Sequence, residues 1–276
     1  MIAHEEFAEV IRAGGVVALT GAGCSTPSGI GDYRDEQGEW KRVQPVQHRD
    51  FVESRQWRQR YWARSQIGYP EFLKAAPNRA HEILANWEKA GLVDGVITQN
   101  VDRLHQRAGN VQVIDLHGRL DQVVCLGCGN RSSRDVLQKF LERANPQVSS
   151  LSATAIMAPD GDADLDKSSY ADVNVPDCEI CGGTLKPDVV FYGDSVPRSV
   201  VDEAYDWVGN ANALLVVGSS LMVFSSFRFV RKAHELGIPI YAINRGRTRG
   251  DDLFSGKVDG DCVTTLEAIT QCLDQT

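Results

Sequence analysis

The sequence predicts an α/β protein: a doubly wound parallel sheet of Rossmann-like type, carrying a smaller inserted zinc-binding module and a helical module. Three observations predict it. Short apolar runs, each ending in glycine or small polar residues, alternate with stretches of helical spacing, the pattern of an open parallel sheet with helices on both faces. A glycine-rich turn follows the first of those runs. Two Cys-x-x-Cys pairs interrupt the alternation in mid-chain.

Glu5–Ala13 has amphipathic helical spacing, with Phe7, Val10 and Ile11 on one side, and Gly14-Gly15 ends it. Val16, Val17, Ala18 and Leu19 suit a strand buried on both faces. The run breaks at Gly21-Ala22-Gly23, where glycine lets the chain turn sharply and lets backbone N–H groups approach an anion. Ser25, Thr26 and Ser28 add hydroxyls and potential caps. A phosphate cradle and a plain strand–helix turn both satisfy this stretch. The dehydrogenase fingerprint is not met: Thr26 stands where G-x-G-x-x-G/A needs glycine or alanine, and no acidic residue ends a clear second strand about 20 residues on. Residues 35–50 are polar and mixed. Phe51–Ile67 reads as helix, with Trp57, Tyr61 and Trp62 among Arg58, Arg60 and Arg64. Such a stripe is either a packed helix whose arginines reach water or one wall of a binding pocket.

A helix at Asn78–Ala90 starts at Pro77-Asn78 and stops at Gly91. The strand Gly95–Thr98 runs into Gln99-Asn100-Val101-Asp102, polar groups at the carboxyl end of a buried strand, where open α/β sheets hold ligands. Asn100 and Asp102 project to one side if extended; an Asn/Asp turn is the alternative. Val111–Leu116 is a further strand and ends in His117-Gly118, with His117 either functional or structural.

Cys125-x-x-Cys128 and Cys178-x-x-Cys181 are knuckles that aim two thiolates each at one tetrahedral ion. Four soft, redox-inert ligands fit one structural Zn2+ per chain, because they close its coordination sphere. A redox dithiol is the alternative, and it does not need two copies. Between the pairs, Arg134–Ala144 has helical spacing and 145–174 is a Ser-, Ala- and Asp-rich excursion. The main domain resumes near Val189–Asp194. Asn212–Ser220 repeats the apolar run ending in glycine and hydroxyls, Ile238–Ile243 ends in Asn244-Arg245-Gly246, and Thr264–Leu273 is helical. The expected organisation is a nucleotide-type domain of residues 1–119 and 187–276, with a helical module at about 40–78, and a zinc module of 120–186.

A net charge of −8 argues against a general nucleic-acid or anionic-membrane partner. Arg55, Arg58, Arg60 and Arg64 make one candidate for a local basic patch. The first residues lack an apolar leader core, and no run approaches the ~18 apolar residues of a membrane span. Seven cysteines, four of them in metal-type pairs, point to a reducing compartment, so a cytoplasmic protein is expected.

Taken in order, these motifs resemble the sirtuins, NAD-dependent protein lysine deacylases, from about Gly14 to Leu273. Gly21-Ala22-Gly23-x-Ser25 with Gly29-Ile30-x-Asp32-Tyr33-Arg34 is similar to the family's NAD loop. Thr98-Gln99-Asn100-Val101-Asp102 is similar to its nicotinamide and ribose segment, and Leu116-His117-Gly118 to its general-base motif. The segments Gly218-Ser219-Ser220, Asn244-Arg245-Gly246 and Gly260-Asp261-Cys262 are similar to those that bind adenosine. Arg58–Arg64, Thr248–Asp252 and the long insert between the cysteine pairs resemble the class II branch. The departures are Gly31 for the usual proline, Tyr33 for phenylalanine, and Tyr192-Gly193-Asp194 for Phe-Gly-Glu.

The resemblance implies a reaction with NAD and acylated-lysine proteins as substrates, releasing nicotinamide and O-acyl-ADP-ribose. The acyl oxygen attacks the nicotinamide ribose, and His117 as general base activates a ribose hydroxyl; an imidazole suits the task because its ordinary pKa, near ~6.5, leaves much of it neutral. Asp102, with Val101 and Ile30, holds the nicotinamide amide. Asn100 and Gln99 orient the ribose and a water, while Tyr33 and Arg34 exclude bulk water. Val189, Val190 and Gly193 pair with the substrate backbone as an added strand. Tyr61 and Arg64 favour acyl groups longer or more acidic than acetyl. A mono-ADP-ribosyltransferase, sharing nicotinamide departure but not the acceptor, is the alternative activity.

Overall fold

A computed structural model describes residues 4–32, 37, 39, 46–150 and 172–275. The chain divides into two compact units, one formed by Met1–Lys41, Ala76–Leu116 and Val196–Thr276, the other by Arg42–Ala75 and His117–Ser195.

The first unit is built on a six-stranded sheet among the described residues. In chain order its elements are α1 (His4–Arg12), β1 (Val16–Thr20) and two short 3₁₀ turns, Ala22–Cys24 and Thr26–Ser28. Those turns stand where the sequence suggested the start of a helix. After the second unit's helices α2 (His48–Glu53) and α3 (Arg55–Leu73) come α4 (Arg79–Lys89), β2 (Val93–Thr98), α5 (Leu104–Ala108) and β3 (Val113–Asp115). The second unit then contributes β4 (Gly118–Cys125), β5 (Arg131–Ser133), α6 (Arg134–Ala144), α7 (Pro146–Ser149) and β6 (Leu185–Val189). The first unit closes with α8 (Arg198–Asn210), β7 (Ala213–Val217), α9 (Phe224–Glu235), β8 (Ile240–Ile243), β9 (Gly256–Val258) and α10 (Cys262–Asp274).

Strand order is β3-β2-β1-β7-β8-β9, all parallel. The alternation of β1 explains its uninterrupted apolar run. Val16 and Ala18 enter a core shared with α1, α4 and α10, whereas Val17 and Leu19 enter the opposite core with α8 and α9. With both faces covered, each position must be apolar. At about 1.5–3 kcal/mol per fully buried large aliphatic side chain, these central strands anchor the unit. The order reverses between β1 and β7, so their carboxyl ends flank the switch point at which such sheets place ligands.

The second unit has an antiparallel sheet, β5-β4-β6. The segment expected to resume the parallel sheet near Val189 therefore belongs here instead: Val189 pairs with Gly118 of β4. Its core packs Phe51, Tyr61 and Trp62 with Val123, Leu137 and Leu141. Along α3, residues 61–63, 65–69 and 72 are all buried, so the middle of this helix is covered on every side rather than along one stripe, while its ends stay exposed at Arg55 and Leu73. Two of its arginines serve the packing. Arg58 Nη1 donates to the Phe51 and Val52 carbonyls (3.0 and 2.8 Å), satisfying the end of α2, and Arg60 lies over Trp57 at 4.8 Å. Arg134 of α6 is fully buried over Trp62 and Tyr69, and that burial lowers its pKa to about 10.

Candidate functional site

In the first unit the residues singled out by sequence gather at the carboxyl ends of β1, β2, β7 and β8. The turn after β1 packs against the turn after β7: a Cβ on Gly21 would meet Gly218 O at 2.8 Å, and one on Gly23 would meet Gly218 Cα at 2.9 Å. Gly218 itself has φ +63, so glycine is required on both sides of this approach. The expectation that the glycines bare their N–H groups to an anion needs correction. Gly21 N–H donates to Val217 O (3.1 Å) and Gly23 N–H to Gly218 O (2.8 Å), so both serve to bring the two strand ends together.

Ser25, fully buried, is the hub behind that edge. Its hydroxyl donates to Asp102 Oδ2 at 2.7 Å and accepts from Asn100 Nδ2 at 3.0 Å, while Asn100 Nδ2 also reaches Gly21 O at 3.0 Å. Gln99 Nε2 donates to Ser219 Oγ (2.7 Å), tying β2 to β7. Asp102 Oδ1 accepts the Leu104 N–H at 2.9 Å, an Asx-type turn that leads the chain into α5. Burial pushes the Asp102 carboxyl up from the ordinary carboxylate range, opposed by the Leu104 N–H and the Ser25 hydroxyl. Ala22 sits in the first 3₁₀ turn, Ile30 is buried, and Asp32, Val101 and Ser220 are half-buried. Tyr33 and Arg34 lie outside the described residues.

Farther along the same edge, Asn244 follows β8 and its amide donates to Arg245 O at 2.7 Å. Arg245 stands 3.6 Å from Asp261, and Gly246 N–H donates to Asp259 Oδ1 at 2.9 Å. Cys262 opens α10 behind the cap Asp261 and is buried; that burial, with the neighbouring Asp261 carboxylate, pushes its thiol up to about 12.

Two histidines outside the motifs underlie this site. His81 Nε2 lies 3.4 Å from Ser25 Oγ, His105 Nε2 lies 2.9 Å from Thr20 Oγ1, and the rings meet edge to face at 4.7 Å. Residue spacing held a signal for His81, which closes a capping box with Asn78, but with histidine in place of the usual Glu or Gln. Burial lowers His81 to about 4 and, joined by the charge of His81, lowers His105 to about 3, so both are neutral at pH 7. Unfolded, they bind protons near pH 6.5. Stability is therefore fully present above that value and is lost as pH falls toward the folded values. Each unmatched proton is worth about 1.4 kcal/mol per pH unit, and because the unfolded rings are not yet fully protonated at pH 6, the pair costs about 2.4 kcal/mol between pH 6 and 5. Denaturant midpoints across that interval measure it, and a flat profile would mean that both rings keep their ordinary affinity for protons.

In the second unit, His117 is half-buried and its carbonyl accepts the Val190 N–H at 2.8 Å. Gly118 takes φ +79 against the Asp188 carbonyl, fixing the chain just after His117. Val189 pairs with Gly118 on one side, and β6 is the edge strand of its sheet among the described residues, leaving a flank for strand addition. Because Val190 N–H is spent on His117, it is not a donor to an added strand. Gly193 is exposed, next to Tyr192, whose carbonyl accepts the His48 N–H at 2.8 Å. Tyr61 is buried edge-on to Phe51, Trp62 and Phe191, with centroids 5.1–5.5 Å away, and Arg64 is half-buried one turn on.

The four cysteine sulfurs lie within 4.8 Å of one another, Cys125 to Cys181 at 3.4 Å and Cys128 to Cys178 at 3.8 Å. Sulfurs each ~2.3 Å from a tetrahedral ion stand ~3.8 Å apart, so the donor set fits zinc. The Cys128 backbone N–H, opposed by desolvation and aided by the Gly127 N–H, brings the Cys125 thiol down to about 6. Cys181, against the pull of the Gly183 N–H, is pushed up to about 12 by its bonds to Cys125 and Cys128, so the paired sulfurs share a proton between them. No helix among the described residues is long and apolar enough to cross a membrane.

A model of the Sir2 family matches residues 21–225. The chain is 56% identical over 248 residues to the NAD-dependent protein deacetylase 2 of Bradyrhizobium diazoefficiens, covering 90% of each. It is 54% identical over 269 residues to an NAD-dependent protein deacetylase of Xanthomonas campestris, covering 98% of this chain and 90% of that one. Among solved structures, a Sir2 complex with p53 peptide and NAD+ superposes with a TM-score of 0.79 at 29% identity, covering 100% of both chains. A Sir2 structure bound to a propionylated peptide gives 0.76 at 30% identity, covering 98% of both.

Proposed function

The chain belongs to the Sir2 family, and from that premise we propose how its residues divide the work of an NAD-dependent protein lysine deacetylase. It removes acyl groups from lysine side chains of proteins and uses NAD as co-substrate. The observation that carries the assignment of parts is the buried Ser25 hub, which joins Asn100 and Asp102 behind the Gly21–Gly23 edge at the switch point of the sheet.

In this reading Gly21, Ala22, Gly23, Ser219 and Ser220 border the dinucleotide's phosphates and adenosine ribose, with Asn244, Arg245, Gly246 and Cys262 farther along the edge. Asp102, held from both oxygens, receives the nicotinamide amide; Asn100 and Gln99 orient the ribose. His117 takes the proton from a ribose hydroxyl. Val189 and Gly193 offer backbone to the substrate strand. The cysteine quartet holds zinc, which closes the knuckles and takes no part in proton or acyl transfer. The cysteine usage supports a cytoplasmic setting.

The test incubates the protein with NAD and acetyl-lysine peptide and follows nicotinamide, deacetylated peptide and O-acetyl-ADP-ribose by mass spectrometry. All three in equal amounts are expected; ADP-ribose left on a protein acceptor, with the peptide still acetylated, would overturn the reading in favour of ADP-ribosyl transfer. The same assay on acetyl-, glutaryl- and lipoyl-lysine peptides tests Tyr61 and Arg64. Arg64→Met is expected to lower the glutaryl-to-acetyl ratio by about 10-fold, the scale of one hydrogen bond to a charged group; an unchanged ratio would remove Arg64 from acyl selection.

A further inference from the structure

Arg103 stands between Asp102 and the first residue of α5 with φ +63 and ψ 17, the left-handed region that side chains other than glycine disfavour. It is held there. Its guanidinium pairs with Asp115 Oδ2, and Gln106 Nε2 donates to Asp115 Oδ1 at 2.9 Å. The partners are well shielded, with side-chain exposures of 23% for Arg103 and 17% for Asp115, so water screens the pair less than it would a surface ion pair. Asp115 ends β3, a rigid platform bonded to β2 through the Val96, Ile97 and Thr98 register.

The geometry at Arg103 governs Asp102. One oxygen of Asp102 accepts the Leu104 N–H, which lies just beyond the left-handed residue, and the other accepts the Ser25 hydroxyl. If Arg103 returned to negative φ, the Leu104 N–H would swing away from Asp102 Oδ1. The carboxylate would then keep one of its two anchors.

We propose that Asp115 is a positioning residue: through Arg103 and Gln106 it clamps the left-handed turn after Asp102 and thereby sets the direction in which Asp102 faces the nicotinamide amide. The inference rests on the functional reading above and adds to it residues that touch neither substrate nor zinc. Glycine at 103 needs no clamp, because it adopts positive φ without steric penalty. That separates the clamp from a merely stabilising ion pair, whose loss glycine would compound.

The test compares four full-length proteins: wild type, Asp115→Asn, Arg103→Gly and the double variant. Asp115→Asn is expected to raise both the KM for NAD and the nicotinamide concentration giving half-inhibition by about 10-fold, the consequence of a misplaced contact group. Arg103→Gly and the double variant should stay within about 3-fold of wild type, the double restoring what Asp115→Asn loses, a non-additivity expected only of coupled residues. A wild-type value for Asp115→Asn, an Arg103→Gly as impaired as Asp115→Asn, or no rescue in the double variant would each overturn the clamp. If the wild type released no nicotinamide, the functional reading would fall by itself. NAD affinity of the four proteins by calorimetry would then decide the clamp by the same pattern of loss and rescue.

Discussion

His117→Ala is expected to lower kcat/KM on an acetyl-lysine peptide by about 10²–10⁴-fold, the range a positioned acid–base group contributes, while NAD binding persists. The substitution removes the imidazole and leaves the local backbone bonding in place. The bond from Val190 N–H to the residue-117 carbonyl is made by backbone, and the positive φ that shapes the next position belongs to Gly118. The residues assigned to the dinucleotide lie on the turns after β1, β2, β7 and β8, each held by bonds that do not involve residue 117. Calorimetric titration with NAD should therefore give a dissociation constant near that of wild type. Deacetylation within about fivefold of wild type, far inside the acid–base range, would take the general-base role from His117.

Zinc removal is the second large effect. Metal analysis is expected to find one zinc per chain, and a strong chelator should unfold the β5-β4-β6 sheet and lower turnover. Cys125 is the last residue of β4, and the Leu126 N–H donates to Thr184 O at 2.9 Å, just before β6 begins, so both strands end on the cysteine cluster. Structural zinc contributes roughly 10–16 kcal/mol in small zinc-finger peptides. A fraction of that rivals the ~5–15 kcal/mol net stability of an ordinary domain. Circular dichroism during chelation, with recovery on adding Zn2+, follows the loss. Folded, active protein without bound metal would refute the structural role. The chemistry should be unchanged in whatever activity survives, with the same products in the same ratio, because the closed sphere leaves no position for substrate.

The parallel strands β1, β7 and β8 were legible because burial on both faces demands an unbroken apolar run, and β2 only in its buried second half, from Gly95 to Thr98, past the exposed Asp94. The strands of the second unit were not. β6 reads Leu-Lys-Pro-Asp-Val, and Pro187 argues against a strand until the sheet shows that β6 lies at an edge. β5 is exposed throughout and carries no apolar pattern. α3 extends to Leu73, past Pro70 and beyond the Ile67 end that periodicity suggested, because burial all round its middle turns erases the stripe that would have carried the helix on.

At the site, residue type and local spacing were enough for the cysteine quartet, since a thiolate's softness and a two-residue knuckle do not depend on distant chain. They were also enough to bring forward Asn100, Asp102 and His117, which lie just past strand ends. The uses of the backbone were hidden. Gly21 and Gly23 serve Val217 and Gly218, partners far along the chain that meet them only because β1 and β7 run side by side in register. Ser25 meeting Asp102, His81 lying beneath it, and Asp115 holding Arg103 depend in the same way on strands and helices brought together by the whole sheet. Ligand chemistry is a property of a few neighbouring residues; which donors remain unspent is a property of the completed packing.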